Sequence, residues 1–334
     1  MEMEKYTMKN NGIFIVGCPR SGTTLLRQIL DSHTELAVVP ESSFMLRLKR
    51  ISWIYGDLNK QKNLISLIED IRSIKRVKDW FPEVETKEFA KQILKNKKVT
   101  FKDVIQEIYN LYSLRKYKKM WADKTPENLL QVNLIKELFP NSKIIIVERD
   151  GRDTALSLKK VDFGGWDIIA SAYMWKKYVQ KAREILKKYP KYTILIKYED
   201  LLLNPEIEIR KILKFLGLKF EEKLFDNYIK HKDDVQHSKS KLYGKKIDKE
   251  NMFKWESEMN ESEINNFQWI AQKELIQGGY LIKRIQNKNR LKWITIIYCL
   301  LENKMQKILN KVYTQNHRDL IRILNRRLIR YLKF

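Results

Sequence analysis

Apolar residues recur along the chain in two rhythms. Gly12 to Val16 is a short run rich in β-branched residues, broken by GCPRSG, and the following TTLLRQILDSH carries Leu25, Leu26, Ile29 and Leu30 at helical spacing. This pattern predicts a strand, a Gly-bounded loop and a helix. Lys143 to Val147 (KIIIV) is continuously apolar, as a strand buried on both faces would be, and Tyr192 to Lys197 (YTILIK) repeats the pattern; each follows a proline that stops the preceding helix. Between them, IASAYMWKKYVQKAREILKKY reads as a helix through Ile169, Tyr173, Val179 and Leu186. Strands alternating with helices predict an α/β fold with a central parallel sheet covered on both faces.

Two stretches depart from that alternation. From about Phe44 to Met120 helical periods dominate and no strand is evident, which predicts a helical insertion beside the sheet. No Pro/Gly/Ser linker bounds it, so it reads as a cap on one compact unit. From Asn287 onward, RLKWITIIYCLLENKMQKIL and DLIRILNRRLIRYLKF read as two helices of a C-terminal extension. In the second, Leu320, Leu324, Leu328 and Tyr331 share one face, with Arg322, Arg326, Arg327, Arg330 and Lys333 elsewhere. The expected organisation is a domain over 1–286 and a basic amphipathic tail over 287–334.

Charge narrows the partners. With 66 Lys+Arg against 41 Asp+Glu, the 334-residue chain carries +25, and 43% hydrophobic residues exclude intrinsic disorder. Anionic partners follow: nucleic acid, an acidic membrane surface, or a phosphorylated or sulfated small molecule. No nucleic-acid recognition motif is visible, so no nucleic acid is expected. The tail suits an anionic membrane surface, or equally docks on its own domain with its Lys and Arg outward. No apolar stretch reaches the roughly 18 residues of a membrane span, the first residues lack the apolar centre of a secretory signal, and Cys18 and Cys299 cannot form a disulfide framework. A cytoplasmic location is expected, at the inner face of the membrane if the tail binds there.

The strongest local signal is Gly17-Cys18-Pro19-Arg20-Ser21-Gly22-Thr23-Thr24, set between a strand and a helix. Two glycines let the backbone curl its N–H groups inward, and the next helix adds its positive end, making an anion nest. Nucleotide kinases place a Lys after the second Gly; here that residue is Thr23. The cation is Arg20, whose guanidinium can fork onto phosphate or sulfate oxygens.

PRSGTTLL resembles the loop of the sulfotransferase family, which cradles the 5′-phosphosulfate of 3′-phosphoadenosine 5′-phosphosulfate (PAPS). The resemblance runs from about Gly12 to Leu281 and implies a P-loop three-layer fold and a PAPS-dependent sulfotransferase. It assigns Pro19, Arg20, Ser21, Gly22, Thr23 and Thr24 to the 5′ side of the donor. Arg149 and Ser157, in VERDGRDTALSL, match the pair that holds the 3′-phosphate, although Arg149, Asp150, Arg152 and Asp153 could also form a purely salt-bridged helix start. Tyr198 matches a residue that packs on the adenine. The usual compact Arg-Lys-Gly segment is missing, and Lys241 to Lys246, with Lys249, is its loose substitute; Lys245 and Lys246 are the candidates.

Sulfuryl transfer needs in-line geometry, a base for the hydroxyl proton and cations for the bridging oxygen, and in principle no metal. The resemblance to tyrosylprotein and bacterial carbohydrate sulfotransferases points to Glu41 as the base, in an apolar setting expected to raise its pKa. His33, at the end of the first helix, is the rival. Lys124, in WADKTPEN, matches a Lys that faces the sulfate, and Ser238 and Ser240 are weaker donors to the same oxygens. His231, His237 and His317 show no metal-ligand spacing. The expected acceptor is a hydroxyl of a carbohydrate or glycolipid. A P-loop kinase is the alternative, disfavoured by Thr23 and by the lack of an apolar strand ending in a metal-binding Asp.

Overall fold

The computed structural model describes residues 11–80, 84–95, 98–161, 167–230 and 247–283, with isolated positions between 297 and 325. In chain order it runs β1 (Ile13–Gly17), α1 (Thr23–Asp31), β2 (Leu36–Val39), α2 (Met45–Ile51), α3 (Gln61–Arg72), α4 (Thr86–Ile93), α5 (Phe101–Arg115), β3 (Met120–Lys124) and α6 (Val132–Leu138). Then follow β4 (Lys143–Glu148), α7 (Gly151–Lys159), α8 (Ile168–Lys188), β5 (Thr193–Lys197), α9 (Tyr198–Leu203), α10 (Pro205–Leu216), α11 (Leu224–Lys230), α12 (Trp255–Glu258) and α13 (Glu261–Gln277).

All five strands are parallel, in the order β2-β3-β1-β4-β5. Successive side chains alternate between the two faces of a strand. Ile13 and Ile15 therefore join Leu26, Ile29 and Leu30 of α1 and Ile209 and Ile212 of α10 on one side. Phe14 and Val16 join Ile105 and Ile108 of α5, Trp175 and Val179 of α8 and Phe267 of α13 on the other. The three layers expected from the alternation are present.

Two strands depart from the sequence expectation. Leu36–Val39 includes the apolar run Ala37-Val38-Val39 that precedes Glu41, and Met120–Lys124 falls where a helical stretch ends. LAVV is only four residues long, and MWADK carries two charged residues at its end, so neither stands out as a strand in the sequence. The helical stretch from Phe44 to Met120 is the connection between β2 and β3, which are hydrogen-bonded neighbours. Its Leu64, Leu67, Ile68, Ile71 and Phe89 belong to the same buried cluster as Phe14 and Val16, so the core runs through it without a break.

Most of the basic tail lies outside the described residues. Of the positions that are described, Cys299 and Ile323 are buried in the main core cluster, and Arg322 Nη2 donates to the Ser73 carbonyl at 3.4 Å. These positions fit the docked reading of the tail.

Candidate active site

The five strands deliver their following residues to one edge of the sheet, where ligands of open parallel sheets bind. The loop of residues 18–22 leaves β1, Glu41 lies just past β2, Lys124 ends β3, Arg149 follows β4, and Tyr198 follows β5.

The loop is held by close backbone approaches. A Cβ on Gly17 would stand 2.4 Å from the Val147 carbonyl oxygen, so only glycine lets β1 and β4 run this close at their ends. Gly22 has φ 92°, and a Cβ there would fall 2.1 Å from the Tyr198 ring. Arg20 also has a left-handed backbone, φ 73°, a conformation few non-glycine residues adopt and one that gathers at functional loops. α1 starts at Thr23 with no side-chain cap, which leaves first-turn N–H groups and the positive helix end for an anion. Ser21 Oγ is buried with no hydrogen-bond partner, a state buried hydroxyls rarely keep without a ligand or water to satisfy them.

The second motif folds against the first. Arg20 Nε donates to Ser157 Oγ at 3.0 Å, joining the loop to α7 across the edge. Arg149 lies beside them: its guanidinium stacks 4.7 Å from the Tyr198 ring centroid, and Nη1 reaches the Arg20 carbonyl at 3.5 Å. Burial and the neighbouring Arg149 charge push the Arg20 guanidinium below its usual pKa. Two cations crowded in this way favour an anion between them. Arg149 also donates through Nη2 to the Asn251 carbonyl and pairs with Asp153 at 3.5 Å, while its buried Nε has no partner.

The purely structural alternative for this motif holds for its other charges. Arg152 is wholly buried; Nη2 and Nε donate to Asp150 at 2.7 and 3.0 Å, Nη1 donates to Gln268 at 3.0 Å, and the guanidinium lies 3.4 Å over Trp255. Asp153 accepts from the backbone N–H groups of Phe253 and Trp255 at 2.8 and 2.9 Å. The residues FKW are thereby bolted to the start of α7. Asp150 N–H in turn donates to Glu199 at 2.9 Å, and burial raises the Glu199 carboxyl to about 7.

At the β2–β3 end, Lys124 Nζ donates to Glu41 Oε2 at 3.1 Å. Lys124 is 7% exposed and Glu41 40%, so the carboxylate forms the open side of the pair. Burial pushes the Lys124 ammonium down, Glu41 restores part of it, and Arg27 lowers it again. Lys124 is thus a buried lysine at the end of a strand, not a solvated one before a helix start. The expectation of a raised Glu41 is corrected too. Burial does push that carboxyl up, but Lys124, Arg76 and Arg47 together outweigh it and hold it below its ordinary value. Its apolar neighbours in sequence lie in the strand, whereas its neighbours in space are cations.

His33 stands at the far end of α1. Its Nδ1 accepts from Glu35 N–H at 3.0 Å, and its Nε2 donates to the Lys219 carbonyl at 2.9 Å. Both nitrogens are thus engaged, Nδ1 in the local turn and Nε2 in tying the end of α1 to the segment after α10. Lys249 begins a short turn whose Asn251 carbonyl accepts from Arg149. Lys245, Lys246, Ser238, Ser240, His231, His237 and His317 lie outside the described residues. Among the described residues no group of three or more His, Cys, Asp and Glu could hold a metal ion.

One strand carries an Asp next to its end, Asp123 of β3, ahead of Lys124. Asp123 is 2% exposed, accepts from Tyr109 Oη at 2.9 Å and Asn128 Nδ2 at 3.4 Å, and is spent on those internal donors. The sequence reading missed Tyr109 and Asp123 because their pairing joins α5 to β3, which no local pattern reports.

A profile of the sulfotransferase family matches residues 12–222. The chain belongs to the sulfotransferase family. Among its relatives, the protein-tyrosine sulfotransferase of Drosophila melanogaster is 28% identical over 257 residues, covering 73% of this chain and 46% of that protein. Protein-tyrosine sulfotransferase A of Caenorhabditis elegans is 26% identical over 225 residues, 66% of this chain and 53% of that protein. The chain therefore spans about half the length of these curated relatives. The sulfotransferase domain from the curacin biosynthetic pathway superposes with a TM-score of 0.55 at 18% identity, covering 81% of this chain and 98% of that one. The sulfotransferase domain of the Synechococcus PCC 7002 olefin synthase gives 0.54 at 19%, covering 85% and 100%. The fold of this sulfotransferase-family chain is thus shared with both domains.

Proposed function

We propose that the chain transfers a sulfuryl group from PAPS to a hydroxyl. The observation that carries this reading is the Arg20–Ser157 contact, which joins the loop after β1 to the motif after β4 and so supports one anionic donor spanning both. Ser21 Oγ and Arg149 Nε, buried donors without partners, fit its phosphate and sulfate oxygens. The uncapped N-terminus of α1 and Arg20 would hold the 5′-phosphosulfate; Arg149 and Ser157 would hold the 3′-phosphate, with a lysine of the 241–249 segment from the other side. PAPS supplies the activated sulfuryl group. Glu41 accepts the acceptor hydroxyl proton as the new S–O bond forms and the bond to the 5′-phosphate breaks. Lys124 and Arg20 balance the charge left on the bridging oxygen. A Glu41 held ionised is ready to accept a proton at neutral pH.

For the acceptor we propose a carbohydrate or glycolipid hydroxyl, met in the cytoplasm at the inner face of the membrane; the net +12 of the last 54 residues, 14 Lys and Arg against two acids, supports contact with an anionic surface. A tyrosyl hydroxyl is the second reading, favoured by the named relatives. Calorimetry with 3′-phosphoadenosine 5′-phosphate (PAP) and with ATP tests the donor: PAP is expected to bind far more tightly, and equal affinity overturns the reading. Labelled PAPS offered to an envelope extract and to tyrosine peptides separates the acceptors. Liposome flotation of the full chain against a chain ending near Ile282 tests the tail; equal flotation removes the membrane role.

A further inference from the structure

Glu41 lies just past β2 and Lys124 ends its neighbour β3, and a third element fixes where those strands end. In the parallel register, Val39 of β2 faces Asp123 of β3, so the Glu41–Lys124 pair lies just beyond the last matched residues. Nothing in the ladder itself holds that overhang. Asp123, the residue before Lys124, is buried, and its carboxylate accepts from Tyr109 Oη of α5 at 2.9 Å. Tyr109 is fully buried in an aromatic stack: its ring centroid lies 4.4 Å from Trp121 of β3, 5.9 Å from Trp80 and 6.1 Å from Phe44. Phe44 is three residues past Glu41, and Trp80 belongs to the helical connection between β2 and β3. One tyrosine thus touches the segment after Glu41, the strand that carries Lys124 and the helices between them.

We propose that Tyr109, acting through its hydrogen bond to Asp123, is a positioning residue that sets the Glu41–Lys124 pair and couples it to the helical connection between β2 and β3. The proposal rests on the reading of Glu41 and Lys124 as base and cation, but the geometry it describes is independent of the donor. Asp123 feels Tyr109 from α5, Thr125 and Asn128 from the turn after β3, Lys124 from its own strand and Glu41 from the end of β2. Burial raises its carboxyl, the Tyr109 and Thr125 hydroxyls and Lys124 offset part of that rise, and the balance stands at about 6. Removing the hydroxyl therefore raises it further, leaving Asp123 protonated, and Lys124 without that negative neighbour, over more of the neutral range. Any shift of the helices on acceptor binding reaches the pair by the same bond.

Tyr109→Phe keeps the ring in its stack and removes only the donor; Asp123→Asn keeps an acceptor for Tyr109 and removes the charge. Two readouts are taken. The first, free of any assumption about the reaction, is the rate at which an amine-acylating reagent modifies Lys124 between pH 5 and 8, followed by mass spectrometry with the other lysines as internal standards. Lys124 is expected to react severalfold faster in Tyr109→Phe than in the native chain. The second is turnover: kcat falls about tenfold, as the loss of one buried hydrogen bond to a charged group allows, with unchanged PAP affinity. The acid limb of the kcat profile moves to higher pH in Tyr109→Phe and vanishes in Asp123→Asn. Native Lys124 reactivity together with a native pH profile in Tyr109→Phe overturns the proposal. Altered Lys124 reactivity in a chain that neither binds PAP nor turns over PAPS upholds it, and instead refutes the sulfotransferase activity.

Discussion

The two ends of the site are built on opposite electrostatic plans. At the β1–β4 end, Arg20 and Arg149 crowd one another, and buried donors on Ser21 and Arg149 lack partners. At the β2–β3 end, Lys124 is matched to Glu41 at 3.1 Å, and the carboxylate is the more exposed partner. The first arrangement has a cost until an anion arrives; the second is satisfied by itself. One half waits for charge and the other cancels it, which suits a donor with fixed anionic groups and an acceptor whose hydroxyl loses a proton only during the reaction.

The sharpest way to break that comparison is to exchange the ends' properties. Glu41→Gln removes the proposed base and leaves the cation end intact, so kcat should fall by about 10²–10⁴ with PAP affinity unchanged in calorimetry. A parallel loss of affinity would mean the two ends are not separate. Arg149→Ala should do the reverse: titration calorimetry is expected to find PAP weakened by about 1.5–3 kcal/mol, the worth of a charge-assisted hydrogen bond. Arg152→Met provides the contrast three residues away. It leaves Asp150 buried without its partner, so thermal unfolding should register a loss of about 3–5 kcal/mol, and donor affinity should follow stability alone.

A smaller effect lies in the pH dependence of stability. Glu199 rises from 4.5 in the unfolded chain to about 7 in the folded one, so the folded state holds its proton over a range in which the unfolded state has lost it. Its contribution is present below the unfolded value and is lost as pH climbs toward 7. Glu199→Gln should therefore flatten the fall in Tm between pH 5 and 7, measured by calorimetry; an unchanged slope would assign that fall to other groups.

The same contrast explains what could be read in advance. β1, β4 and β5 announce themselves as apolar runs, and Gly17 to Thr24 is legible because a left-handed turn at Gly22 and a close approach at Gly17 demand glycine in sequence. Arg20, Glu41, Lys124, Arg149 and Tyr198 do meet at one edge, since every parallel strand delivers its C-terminal end there. β2 escapes because it is only four residues long, and β3 because Asp123 and Lys124 interrupt its apolar pattern. The low pKa of Glu41 escapes for a related reason: Arg47 and Arg76 come to it through the fold. Arg149 and Arg152 look alike in ERDGRD, and only Trp255 and Gln268, about a hundred residues on, decide that Arg152 is locked in the interior.

Gly22 rests against Tyr198, the first residue after the last strand. The anion loop is thus encoded near the start of the chain but receives its floor only when the end of the sheet has formed. During synthesis, β1 and α1 emerge long before the segment that supports them, so a nascent or truncated chain lacking β5 should collapse without retaining the donor. Donor affinity therefore reports that folding has finished.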